Sequence, residues 1–351
     1  MNDKIALLDS VLNNMRNKRR PINIVASLTN ECNFKCIYCY NKPNWNKKSK
    51  ALSVSEWKHI LHESKINGCI FLTLTGGEPL LCEYFNEIYE YAYDMNLKIK
   101  LITNFSILNK STKLLLLEKP PETLSVTLYG ISNETYNSFC KVHNGWDLTM
   151  KNIEFAKSEK LPLSIHTVLN NYNYHELALM KNFCMEMDLP FNIFRYITMD
   201  KLGGSQPLDC QLSVEKIVDS YKLAEDSQTF INNFSAKEVA WENGYKMCYA
   251  GITSCDIDYL GNMYLCNQCA EHSFNVIELG FLQCWDELLN IRQKKIEKVI
   301  ECGQCNFKIY CGQCTPAFNK IKKEFGFPLP ACHDKYKHEW KHNKIHEMGG
   351  I

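Results

Sequence analysis

The side chains best able to do chemistry here are thiols, with 18 cysteines in 351 residues. In a reducing compartment, clustered thiols bind metal more often than they pair as disulfides. The first cluster is Cys32, Cys36 and Cys39, with gaps of three and two residues. Three thiolates this close can hold three irons of a [4Fe–4S] cube and leave the fourth iron open to an outside ligand. Zinc is the rival metal, although a structural zinc site normally takes four protein ligands. A second set runs from Cys248 through Cys266 to Cys302, Cys305, Cys311, Cys314 and Cys332. Its C-x2-C pairs would also suit a zinc ribbon.

These thiols need elements to hold them. Short apolar runs predict strands over Ile22–Leu28, Ile70–Thr75, Leu97–Thr103, Leu124–Leu128, Leu163–Leu169 and Phe191–Ile197. Amphipathic stretches between them predict helices over Ser53–Ile66, Glu83–Met95, Ser111–Glu118, Leu148–Lys160 and Tyr174–Met187. Ser53 and Glu56 have the spacing of a capping box, which marks a helix start. Six strands with helical crossovers make an α/β fold, a parallel sheet covered by helices. Sites in such sheets gather at the carboxyl ends of the strands, where the first cysteine set falls.

After Asp200 the alternation breaks. The expected organisation is an N-terminal extension (1–20), a sheet-and-helix domain (21–200), a bridge (201–243), a cysteine-rich domain (244–335) and a polar tail (336–351). A region held by metal needs less hydrophobic core, because metal binding contributes folding free energy. The chain is 45% hydrophobic and 23% charged, an ordinary globular balance that excludes disorder and coiled coil. Forty Lys and Arg against 39 Asp and Glu leave +1, which supplies no general drive toward nucleic acid or an anionic membrane. No apolar run approaches the about 18–20 residues of a membrane helix. Residues 1–20 hold no apolar signal core, so the cytoplasm is the expected location.

The C-x3-C-x2-C pattern, with Tyr38 before its last cysteine, resembles the radical S-adenosylmethionine (SAM) superfamily. A second element agrees: Gly76-Gly77-Glu78-Pro79 after the second strand resembles that family's GGEP turn, which meets the amino group of SAM. Glycines let backbone approach a ligand without a Cβ in the way. The resemblance implies a partial (β/α)6 barrel with SAM contacts from Tyr38, Gly76, Gly77, Glu78, Asn104, Thr127 and Arg195. The family's Ser-Leu-Asp-Gly at the fourth strand is here Thr127-Leu128-Tyr129-Gly130. Thr127 can still donate a hydrogen bond, but any role of the Asp is lost.

The second cysteine set resembles the SPASM extension of the same superfamily, which carries two auxiliary [4Fe–4S] clusters, for three clusters in all. One gap departs from its pattern, two residues instead of three between Cys311 and Cys314. The resemblance gives Cys302, Cys305, Cys311 and Cys332 to an outer cluster, and Cys248, Cys266 and Cys314 to an inner one. Cys255 is its candidate fourth ligand, with Cys269 a weaker competitor. Without either, the inner cluster keeps an open iron that could grip substrate. The remaining cysteines read as small buried hydrophobes, among which Cys210, in a loop past the sixth strand, is best placed to return a hydrogen atom.

By the same resemblance, the chain is an oxidoreductase that uses SAM to abstract a hydrogen atom. Its expected substrate is a ribosomally made precursor peptide, on which it forms a thioether or carbon–carbon crosslink. Peptide epimerisation, formylglycine formation in a sulfatase and small-molecule dehydrogenation are the alternatives, and a non-enzymatic iron–sulfur carrier has no need of a SAM site. A flavodoxin- or ferredoxin-type protein would supply electrons. Many crosslinking relatives have an N-terminal leader-binding domain. Here about twenty residues precede the first strand, so either a separate protein presents the leader or the bridge and C-terminal region recognise it.

Overall fold

A computed structural model describes residues 17–41, 50–224 and 248–293, the paired strands at 241–242 and 245–246, and Asn14, Cys314 and Ala317. Cys302, Cys305, Cys311, Cys332 and the tail at 336–351 lie outside the described residues. Six strands follow one another in space as in sequence: β1 (Asn23–Ser27), β2 (Phe71–Thr75), β3 (Lys98–Thr103), β4 (Thr123–Thr127), β5 (Leu163–Val168) and β6 (Phe191–Phe194). Each is parallel to the next. This is the arc of a partial barrel, as the sequence predicts.

Strand pleating sorts the side chains. Ile24, Ala26, Leu72, Leu74, Ile99, Leu101, Leu124, Val126 and Ile165 are all buried in one core. The alternate residues, among them Thr73, Lys100, Ser125, Thr127 and His166, therefore face the barrel's interior. The covering helices are α1 (Val54–Ile66), α2 (Phe85–Asp94), α3 (Lys110–Glu118), α4 (Gly145–Ser158) and α5 (Leu177–Glu186). The capping box at α1 forms: Glu56 N–H donates to Ser53, and Ser53 N–H donates to the Glu56 carboxylate at 2.7 Å. No helix among the described residues is long and apolar enough to cross a membrane.

Three departures from expectation bear on the site. First, β6 ends at Phe194, not Ile197. Gln211 takes over the ladder there, accepting from Ile197 N–H at 2.8 Å and donating to the Arg195 carbonyl at 3.1 Å. Second, an unpredicted helical turn over Tyr136–Cys140 lies against the cysteine loop, with Lys35 N–H donating to the Cys140 carbonyl. Third, strands from the expected cysteine-rich region join the same sheet as β1.

Past α6 (Val214–Ala224), a hairpin of β7 (Trp241–Glu242) and β8 (Tyr245–Lys246) leads on to β9 (Ser254–Ile257), β10 (Asn262–Tyr264) and β11 (Ser273–Asn275). β9 pairs parallel with β1, opposite ↔ partners being Ile24↔Cys255 and Val25↔Asp256, and β10 and β11 follow antiparallel. A nine-stranded sheet results, covered at this end by α7 (Phe281–Gln293). The added strands occupy what would otherwise be the exposed edge of β1.

Candidate active site

The loop after β1 carries Cys32, Cys36 and Cys39, and its base is fixed by the turn after β2. Gly77 N–H donates to the Thr29 carbonyl at 2.8 Å, and Glu78 N–H to the Glu31 carbonyl at 2.7 Å. A Cβ on Gly77 would run into the carbonyl of Glu31, and one on Gly76 would stand 2.5 Å from that of Thr29. The glycines therefore let two stretches of backbone dock, a purpose the sequence does not disclose. With those N–H groups spent, the Gly76 and Gly77 carbonyls accept no backbone hydrogen bond among the described residues. They are what the turn can offer a cationic amino group.

Glu78 is fully buried, and its carboxylate is occupied by the protein. It accepts from Thr103 Oγ1 at 2.6 Å, Asn104 N–H at 2.8 Å and Leu80 N–H at 3.1 Å. Burial pushes its pKa up to about 7, against the pull of these bonds. The side chain thus clamps the end of β3 to the turn. Asn104 extends the clamp to the cysteine loop, donating to Asn33 Oδ1 at 2.9 Å and approaching Cys32 Sγ at 3.9 Å.

The three thiols share one setting. Burial pushes the Cys32 thiol up to about 12, with the neighbouring thiols and Glu78 adding to it. Burial also raises Cys36, which is hydrogen-bonded to the thiol of Cys140 and to the Tyr129 hydroxyl. Tyr38 stacks on Phe139 at 5.0 Å and neighbours Tyr129 at 6.4 Å. Phe34, Tyr129 and Tyr136 complete the aromatic wall. Cys210 is buried in this same apolar cluster with Cys36, Phe139 and Ile197. Tyr129 thus packs its ring among Phe34, Tyr38 and Tyr136 while its hydroxyl meets Cys36.

On the barrel's inner face, Thr127 Oγ1 is hydrogen-bonded to His166 Nε2 at 2.7 Å, and Ser125 Oγ to His166 Nδ1 at 3.1 Å. Burial, with Lys100 nearby, lowers the histidine's pKa to about 4, so the imidazole is neutral. Sequence reading missed His166. Its signal was the alternation Leu163-Ser164-Ile165-His166, which sets the histidine on the polar face. Arg195 Nε donates to Ser220 Oγ at 2.7 Å, and the guanidinium also meets the carbonyls of Ile193 and Ser220.

In the second set, Cys266 and Cys269 flank a tight turn in which Cys269 N–H donates to the Cys266 carbonyl at 2.8 Å. Their thiols are hydrogen-bonded, which with burial raises Cys269, and Cys314 lies within electrostatic reach. Cys248 is half-buried, its carbonyl accepting from Arg292 at 3.4 Å. Cys255 is in β9, fully buried beside Cys69 and Cys284. Side chains join this region to the first loop. Asn267 donates to Tyr40 Oη at 3.3 Å, and Lys201 Nζ donates to Tyr264 Oη at 3.3 Å while lying 5.6 Å over the Tyr40 ring.

Among the described residues, no three His, Cys, Asp or Glu side chains converge on one ion. A cube is larger than an ion and spreads its thiolates over separate corners. Three soft thiols on one loop, with Glu78 already occupied, therefore suit a cluster better than a single hard cation.

Residues 26–184 match the Radical SAM superfamily. The AdoMet-dependent heme synthase of Methanosarcina barkeri is 23% identical over 315 residues, covering 83% of this chain and 90% of that protein. The PqqA peptide cyclase of Bradyrhizobium diazoefficiens is 23% identical over 168 residues, 48% of this chain and 44% of that one. In fold, the chain resembles Streptococcus suis SuiB bound to precursor peptide SuiA, with a TM-score of 0.68 and 19% identity over 87% of this chain and 74% of that one.

Proposed function

From the premise that residues 26–184 are a radical SAM domain and the chain a radical SAM enzyme, we propose that it matures a ribosomally made peptide. It takes hydrogen from an unactivated carbon and closes a thioether or carbon–carbon crosslink. The observation that carries this proposal is the docking of the Gly76–Pro79 turn onto the cysteine loop, which leaves two carbonyls for an ammonium group beside three thiols. Cys32, Cys36 and Cys39 would hold one [4Fe–4S] cluster, and Gly76 and Gly77 would receive the amino group of SAM. Asn104, 3.9 Å from Cys32 Sγ, and Thr127 would also contact SAM. When bound, the reduced cluster and SAM supply the oxidant that removes the hydrogen atom.

Losing one hydrogen atom and one electron is a net two-electron oxidation, so the substrate's electron needs an acceptor. We assign that role to auxiliary clusters on the second cysteine set, with a flavodoxin- or ferredoxin-type protein reducing the first. A precursor peptide as partner is supported by the peptide cyclase relative and by the peptide seated in SuiB. A small-molecule substrate is the second reading, favoured by the longer span of the heme synthase likeness.

Mass spectrometry of a peptide encoded beside the gene, incubated with protein, SAM and reductant, tests the proposal. The expected product is lighter by two hydrogen atoms. Unchanged mass in H2O with one deuterium gained in D2O would mean epimerisation, with the buried Cys210 as the donor to examine. SAM consumption that leaves every such peptide unaltered would reject a peptide substrate.

A further inference from the structure

We infer that Cys269, not Cys255, is the thiol that joins Cys266, Cys314 and Cys248 at the inner auxiliary centre, which leaves that centre no open iron for substrate. The assignment rests on the proposal that the second cysteine set holds iron–sulfur clusters. Its basis is the pleat of β9. Adjacent residues of a strand point to opposite faces of the sheet. Asp256 points to the Cys266 side, where its carboxylate accepts from Asn267 N–H and feels Cys266 and Lys201. Cys255 must then point the other way, and it does.

Cys255 is 0% exposed and lies in the helix-covered core with Ile24 and Ile257, beside Cys69 and Cys284. By the pleat, Cys255 and Asp256 leave β9 on opposite faces, and it is Asp256 that reaches Cys266. Turning Cys255 across would slip β9 by one residue and expel Ile257 from the core.

Cys269 has no such obstacle. The turn Asn267–Cys269 folds its backbone onto Cys266 and brings the two thiols into contact, with Cys314 nearby. Two cysteines separated by two residues on one short turn can occupy two corners of one cluster. Four thiolates saturate a cube. The inner centre is therefore an electron carrier that works without a bond to the substrate.

The test uses the full chain with Cys32, Cys36 and Cys39 replaced by Ala, so that only the second set can hold iron. Iron content and the EPR spectrum of the reduced protein are measured with and without imidazole as a probe for an open iron. The parent spectrum should ignore imidazole, and Cys255→Ala should match the parent. Cys269→Ser should shift the spectrum, and Cys269→Ala should either respond to imidazole or lose about four irons. If Cys269→Ala no longer elutes with the parent on gel filtration, the Cys269→Ser spectrum decides. Parent-like spectra from the Cys269 variants, a shift from Cys255→Ala, or an imidazole-sensitive parent would each overturn the assignment. A parent chain that binds zinc or no iron would instead overturn the iron–sulfur proposal, and the assignment with it.

Discussion

The first thiol site hangs from a single loop, whereas the thiols of the second come from a turn and from a distant part of the chain. At Cys32, Cys36 and Cys39, the spacing along the sequence is the geometry, because one loop between β1 and its docking turn carries all three. Around Cys266, spacing is a poor guide. Cys255 is close in sequence, but the phase of β9 sends it into the core, and the turn that follows β10 brings up Cys269 instead. A motif is legible when its residues share a loop, and ambiguous when a pleated strand decides which way each side chain points.

The sharpest way to separate the two regions is Glu78→Ala. It strips the acceptor from Thr103 Oγ1, Asn104 N–H and Leu80 N–H, all held at 3.1 Å or less. Each buried donor left unsatisfied costs about 1–3 kcal/mol, so a loss of roughly 3 kcal/mol or more in urea unfolding is expected. SAM binding, read by isothermal titration, should fall with it. Retention of wild-type stability and SAM affinity would show that the clamp does not hold the first site together.

The barrel strands were legible because apolar alternation and intervening helices repeat six times. Most of their ends moved by one residue, and the end of β6 moved by three, where Gln211 takes over after Phe194. β9, β10 and β11 were not legible. They have four, three and three residues, and their faces are set by pairing with β1 rather than by a pattern of their own. In the site, the cysteines and the glycine turn stood out by type and spacing. His166 did not, since the alternation places it on the polar face but gives it no partner until Ser125 and Thr127 are seen bonded to its two ring nitrogens.

A smaller effect probes the barrel's inner face by pH. His166 stays neutral to about pH 4 in the folded chain, against about 6.5 when unfolded. The unfolded state binds more protons between those values, so stability rises with pH across that window and is lost as pH falls. Glu78, raised to about 7, opposes this: its contribution is lost as pH rises from about 4.5 through 7. The test is therefore the difference between wild type and His166→Asn. Acid should destabilise wild type more than the variant, by at most about 3 kcal/mol. Parallel pH–stability curves would place the imidazole in solvent.

The most direct measurement asks whether the first loop alone does the SAM chemistry. Dithionite-reduced wild-type protein should convert SAM to 5′-deoxyadenosine and hold about twelve irons. The Cys32, Cys36 and Cys39 triple Ala variant should form no 5′-deoxyadenosine and retain about eight irons on the second set. Formation of 5′-deoxyadenosine by the triple variant would contradict the assignment of that chemistry to the loop after β1.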